Sequence, residues 1–256
     1  MIHATAIIHP GATLEEGVSV GPYAVIGDRV SIAAGTSIGP HAVIEGPTTI
    51  GRDNRIFQFA SVGAVPQDLK FHGEETFLKI GDRNTIREFV TIHRGTEDGG
   101  GETVIGDDNL FMAYSHVAHD CRVGNRVILA NCATLAGHVE IDDHAILGGL
   151  SAVHQFTRVG SHTMISGGSM VAQDVPPYTI AQGDRAKTVG INIVGLKRRG
   201  YSEGVLRSIK TAYKLVFRSD LRLEEALARI DSELEKSPEL ALFVDFIRNS
   251  QRGIAR

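Results

Sequence analysis

The chain has 256 residues, and 26 Lys and Arg against 30 Asp and Glu give a formal charge of −4, which excludes a general binder of nucleic acid or anionic membrane. Two cysteines, Cys121 and Cys132, are too few for a disulfide framework, and there is neither an apolar run of about 18 residues nor a signal-peptide pattern, so a cytoplasmic protein with no membrane span is expected. Glycine supplies 29 residues, about 11% against roughly 7% on average, and tryptophan is absent, which argues against one bulky globular core.

From Ile2 an apolar residue recurs every six positions through Ile8, Leu14 and Val20 to Val62. The step resumes at Ile80, Ile86 and Ile92, and again from Ile105 to Val171. Of these 26 positions 25 are Ile, Val or Leu, with Phe111 the exception; 42% hydrophobic residues would place only about eleven there at random. A period of six matches neither a helix nor a simple alternating strand. It fits a short strand plus a turn, three such units making an 18-residue coil with the column pointing into a triangular prism. A parallel β-helix over residues 1–177 follows, although the period does not set its handedness. Small residues two before the column, such as Ala24, Ala42 and Ala133, suit cramped corners. Glycine often follows the column (Gly39, Gly81, Gly106), where a turn is expected to need positive φ.

Two insertions break the period, one near 67–79 and a glycine-rich one within 93–104. Long loops on a solenoid tend to line its binding face. The column stops at Pro176-Pro177, and 178–201 reads as a connecting segment. From Ser202 the pattern is helical, with Leu206, Ile209, Tyr213, Val216 and Phe217 at intervals of three and four. A second helix spans Leu223 to Leu234, and Ser237-Pro238-Glu239 starts a third. The helical domain, 202–256, is expected to pack on the prism or on a neighbouring subunit.

Labelling the prism sides A, B and C in chain order, side A begins at Val62, Ile92, Val117, Leu135, Val153 and Val171. His93, His119, His138 and His154 follow four of these starts within three residues, placing four histidines on side A in successive coils about 4.8 Å apart. His116 closes the preceding side C, and the loop carrying Asp68 and Lys70 leaves from side A. Turns favour polar residues and a solenoid aligns whatever it has, so one histidine alone says little. Five on one edge beside a loop read as a site. The spacing leaves two chemistries open: zinc held by three imidazoles, as in a β-helical carbonic anhydrase, or a general base among anion-holding neighbours.

The strings QDLK (67–70), IREFVTIHRGT (86–96), HVAHDC (116–121), ILANCATLAGHV (128–139), VHQF (153–156), AQDVPPY (172–178) and NIVGLKRRG (192–200) resemble the hexapeptide-repeat acyltransferases. Within them the resemblance is to the enzymes that acylate UDP-N-acetylglucosamine at the start of lipid A synthesis, and it covers essentially the whole chain. It implies an all-β left-handed parallel β-helix with a C-terminal α-helical domain, assembled as a homotrimer with active sites between subunits. It implies transfer of an (R)-3-hydroxyacyl group from acyl carrier protein to the glucosamine 3-hydroxyl of UDP-N-acetylglucosamine. In that reading His119 is the general base, Asp120 supports it, and the Gly137 N–H stabilises the oxyanion. Asp68, Lys70 and His138 hold the sugar and His116 a phosphate. Gln155, Asn192, Arg198 and Arg199 hold the nucleotide, some from a second chain, with His154 beside them. Gly167 and Met164 are the acyl-chain ruler; the missing side chain at Gly167 implies a longer channel than a bulky residue would leave, Met164 and Met170 can shorten it, and the acyl length stays open. A thioester is already activated, so no metal or cofactor is implied. This chain departs from the pattern at Val194, where the family often has an acidic residue, which removes one nucleotide contact. The sibling N-acyltransferases carry an additional N-terminal uridine-binding domain, for which a repeat starting at Ile2 leaves no room.

Overall fold

Each six-residue unit supplies a strand of two residues, an outward one and then the column residue, as in Ile7–Ile8, Thr13–Leu14 and Ser19–Val20. In the computed structural model, which describes residues 1–256, these strands wind into a left-handed parallel β-helix. Its sides are sheets of nine (A), eight (B) and ten (C) strands. On side A, Val62 pairs in register with Ile44 and Ile92, and the ladder continues through Val117, Leu135 and Val153 to Val171. From Val20 to Val171 every column side chain is buried, because the coils above and below cover it. At the uncovered first coil Ile2 stays half exposed.

The column therefore carries the stability, and Leu129, fully buried on side C, tests it. Leu129→Ala is expected to destabilise the fold by about 2–5 kcal/mol, read from the midpoint of chemical denaturation.

The turns differ from expectation. The corner residues in the left-handed region lie three after the column and are mostly not glycine: Tyr23, Arg29, His41, Asp120, His138 and their equivalents, with Gly17, Gly35 and Gly168 at the same position in three corners. The glycines after the column are needed for close approach instead: a Cβ on Gly39 would lie 2.7 Å from the backbone nitrogen of Gln58. Side chains offset the cost of the left-handed corners by stacking. Along the C-to-A edge Tyr23, His41, Phe59, Phe89 and Tyr114 form a ladder of nearly parallel rings spaced 4.8 to 5.2 Å apart.

Both insertions leave from the A-to-B edge, with bounds shifted from those the period suggests. The strands Ser61–Ala64 and Phe77–Ile80 leave 65–76 as the first loop, and Thr91–His93 and Glu102–Ile105 leave 94–101 as the second. These longer strands arise because Phe77–Ile80 pairs along its whole length with Glu102–Ile105. Segment 178–201 is not a plain connector. Thr179–Gln182 and Lys187–Ile191 form an antiparallel hairpin added to side C. Helix α1, Ile193–Arg198, follows.

Helix α2, Glu203–Phe217, is capped by Ser202, α3 spans Leu223–Glu233, and α4, Pro238–Arg248, starts with Ser237 as cap and proline in its first turn. Their apolar faces share a core with Tyr178 and Leu196. None of these helices is long and apolar enough to cross a membrane. Beyond α4 the chain returns to the last coil, where Asp174 N–H donates to Gly253 O at 3.0 Å and Ala255 N–H to Asp174 O at 2.8 Å.

Candidate active site

The two-residue strand rule decides where the histidines fall. His116 is the outward residue of strand His116–Val117 and so lies on side A itself, not at the end of side C. His119, His138 and His154 come after their column residues and stand on the A-to-B corner rather than on the flat side. His93 ends its strand, Thr91–His93, and is turned in, 3% exposed. The cluster forms, but as a ridge along one edge with one ring folded beneath it.

At its centre His119 Nδ1 is 2.7 Å from Asp120 Oδ2. The Asp120 side chain is wholly buried, and the second loop holds it: Thr96 N–H donates to Oδ1 at 2.8 Å and Thr96 Oγ1 to Oδ2 at 2.6 Å. Burial raises the Asp120 pKa, but the hydrogen bonds from His119 and Thr96 outweigh it and hold the group below its ordinary value. An ionised carboxylate only accepts, so in the neutral ring Nδ1 is the nitrogen that carries the proton and Nε2 the one that presents a lone pair. Gly137 lies directly against that ring, since a Cβ there would be 2.5 Å from His119 Cε1 and 2.7 Å from Nε2. The Gly137 N–H donates to no group in the chain. Asp68 Oδ2, from the first loop, sits 4.0 Å from Nε2. Here a base nitrogen, a free N–H donor and a carboxylate converge.

The neighbouring rings are neutral by environment. Burial lowers the pKa of His138, which stacks on Phe156 at 4.3 Å and meets His119 edge-on at 5.1 Å. Burial likewise lowers His116, whose Nδ1 lies 2.6 Å from Thr91 Oγ1. His93 is pushed down to about 4 by burial and then by His116 and His119. His162, elsewhere on the prism, is pushed down to about 4 by burial and by His144. Unfolding returns both to near 6.5, so the unfolded chain takes up protons first as pH falls. The sign is therefore a loss of stability on acidification between about 6.5 and about 4, read as a falling Tm in calorimetry. A Tm constant across that window would contradict the buried neutral rings.

His119, Asp120 and His138 could also be taken as a ligand set, their donor atoms lying within 4.8 Å of one another. Only two imidazoles take part, because His93 and His116 pair separately at 4.9 Å. Each Asp120 oxygen already accepts a hydrogen bond from Thr96. The donor set fits an orienting carboxylate better than three-imidazole zinc ligation.

A family model described as Udp N-acetylglucosamine O-acyltransferase; Domain 2 matches residues 174–255, and one described as Bacterial transferase hexapeptide (six repeats) matches 102–137. The structure of LpxA from Acinetobacter baumannii is 48% identical, with 100% of this chain and 99% of that chain covered and a TM-score of 0.96. The UDP-N-acetylglucosamine acyltransferase from Bacteroides fragilis is 44% identical over 100% of both chains, with a TM-score of 0.97. The chain belongs to the UDP-N-acetylglucosamine O-acyltransferase family. The Arabidopsis UDP-N-acetylglucosamine acyltransferase, 39% identical over 100% of both chains, has a TM-score of 0.88.

In this family member the candidate residues divide among the prism edges. Asp68, Lys70, His119, Asp120, Gly137, His138, His154 and Gln155 share the A-to-B edge, with His116 on adjoining side A. Asp68 and Lys70 border a cavity of about 560 Å³ between the two loops, which Thr96 also lines. Arg198 and Arg199 lie on the B-to-C edge, where Arg199 donates to His144 Nδ1 at 2.6 Å. Asn192 has a structural part in this chain: its side-chain carbonyl caps α1 by accepting from Gly195 N–H at 3.1 Å, and its side-chain amide donates to His162 O at 3.0 Å. It therefore orients the helix bearing the arginines. Val194, where the acidic residue is missing, is exposed. Gly167 lies on the C-to-A edge, where a Cβ would approach only the backbone of Gly149, and Met164 is exposed on side C.

The sequence reading missed Thr96, Thr103 and Gly99. Thr103 Oγ1 accepts from Asp120 N–H at 2.8 Å, and a Cβ on Gly99 would collide with the Asp120 carboxylate. The only sequence signal was the length of the second insertion. It also missed a groove of about 800 Å³ on side A, running from Ala136 past His154 and Met170 to Arg252.

Proposed function

We propose that this chain transfers an (R)-3-hydroxyacyl group from acyl carrier protein to the glucosamine 3-hydroxyl of UDP-N-acetylglucosamine, the first step of lipid A biosynthesis, with His119 Nε2 as general base. The observation that carries this is the 2.7 Å contact of His119 Nδ1 with a buried carboxylate, beside a glycine whose N–H is free. Nε2 takes the hydroxyl proton as the oxygen attacks the thioester carbonyl, and the Gly137 N–H faces the developing oxyanion. Collapse breaks the carbon–sulfur bond, and the proton on Nε2 goes to the departing thiolate. Asp120 keeps the tautomer fixed and stabilises the imidazolium while it exists. Asp68, Lys70 and His138 hold the sugar and His116 a phosphate.

The active unit in this reading is a homotrimer. Arg198, Arg199 and Gly167 lie on edges other than that of His119, and a neighbouring copy supplies what one chain keeps apart. Gln155 and His154 then face the nucleotide together with the arginines, and the acyl chain extends toward Gly167 and Met164 as its ruler. The experiment is incubation with UDP-N-acetylglucosamine and 3-hydroxyacyl carrier proteins of several lengths, read by product mass, with light scattering for assembly. An acylated nucleotide sugar is expected, formed equally well after chelator treatment. Absence of product with every donor would end this assignment, and a rate that needs zinc would turn His119, Asp120 and His138 into ligands.

A further inference from the structure

The returning C-terminal tail places an arginine that no residue role above uses. Residues 250–256 are clamped to the last coil: besides the bonds of Asp174 to Gly253 and Ala255, Ser250 Oγ donates to Asp174 Oδ2 at 2.7 Å and Thr188 N–H to Ala255 O at 2.9 Å. Ile254 and Ala255 are buried there. This fixes Arg252, whose Nε and one terminal nitrogen donate to Ala172 O at 3.3 and 3.2 Å. The same terminal nitrogen reaches His154 Nδ1 at 3.3 Å, bridging 98 positions of sequence. Ala172 follows the column at Val171, one coil beyond His154, so Arg252 extends the row of His119, His138 and His154 along the A-to-B edge.

Arg252 forms no ion pair with a carboxylate, and neither does Arg185 across the same groove. Asp184 also borders that groove, leaving an excess of positive charge there. A guanidinium held on one side by a carbonyl, without a carboxylate partner and lining a groove beside the catalytic row, is a fork for a phosphate oxygen pair. We propose that Arg252, with His154, binds a phosphate group of a substrate. This rests on the acyltransferase reading, in which two phosphates are available: the diphosphate of the nucleotide sugar and the phosphodiester of the donor's phosphopantetheine arm.

The test measures dissociation constants by calorimetry for UDP and uridine, and for phosphopantetheine and pantetheine, with the full-length protein and with Arg252→Gln and Arg252→Lys. Loss of roughly tenfold or more in the advantage of the phosphorylated member of one pair is expected for Arg252→Gln, with partial recovery in Arg252→Lys. The pair that loses it identifies the substrate. A variant that merely loosens the tail weakens both members of a pair alike, so unchanged ratios in both pairs overturn the proposal. Failure of the parent chain to transfer acyl groups would instead remove the acyltransferase reading, because these ratios are read from binding alone.

Discussion

Replacing His119 with Asn is expected to lower kcat by about 10²–10⁴-fold while the thermal midpoint stays within a few degrees of the parent. Asparagine retains an amide that can donate to Asp120 but has no basic nitrogen in the place of Nε2. The fold has little at stake, since the side chain stands on a corner and the buried Asp120 keeps both bonds from Thr96. His119→Ala is expected to lose as much rate, with a further modest cost from leaving one Asp120 oxygen short of a donor. Turnover near the parental value in either variant would take His119 out of the mechanism. A collapsed thermal midpoint would instead mean that the ring is a structural wedge.

How much of this was legible beforehand follows from what each interaction depends on. The column of Ile, Val and Leu is a one-dimensional signal, and the stacking of Val62, Ile92, Val117, Leu135 and Val153 can be counted along the chain alone. His119 and His138 reach one edge by the same counting. The finer placement of His116 and His93 was not countable, because it depends on where each strand ends: at the column residue in His116–Val117, but one residue past it in Thr91–His93. The glycines after the column misled for a related reason: glycine allows both positive φ and close packing, and sequence does not say which is used at Gly39. Thr96 was hidden because its bond to Asp120 is made by a loop whose path no period describes. Arg252 was hidden because the chain returns from the helices to the last coil, a contact set by tertiary packing alone.

Gly137 offers the sharper test of the site, since two roles for it predict opposite results. If its contribution is only the N–H that faces the oxyanion, Gly137→Ala keeps that donor and the rate survives. Its φ is not in the left-handed region, so the backbone accepts alanine without strain. Yet the added Cβ would stand 2.5 Å from Cε1, 2.7 Å from Nε2 and 3.1 Å from Nδ1 of His119, and that ring is pinned through Nδ1 by Asp120 at 2.7 Å. The ring must move, by something like 1 Å, and a displacement of that size can cost about 10²-fold in rate. We therefore expect Gly137→Ala to fold with a near-parental thermal midpoint, to bind UDP-N-acetylglucosamine, and to turn over about 10²-fold more slowly. Because the base is displaced rather than removed, Gly137→Ala combined with His119→Asn is expected to be no slower than His119→Asn alone. Full activity in Gly137→Ala would show that the base does not need the position it holds against the glycine. A double variant slower than both would mean that the two residues act independently, and the shared cleft at the centre of this site would have to be redrawn.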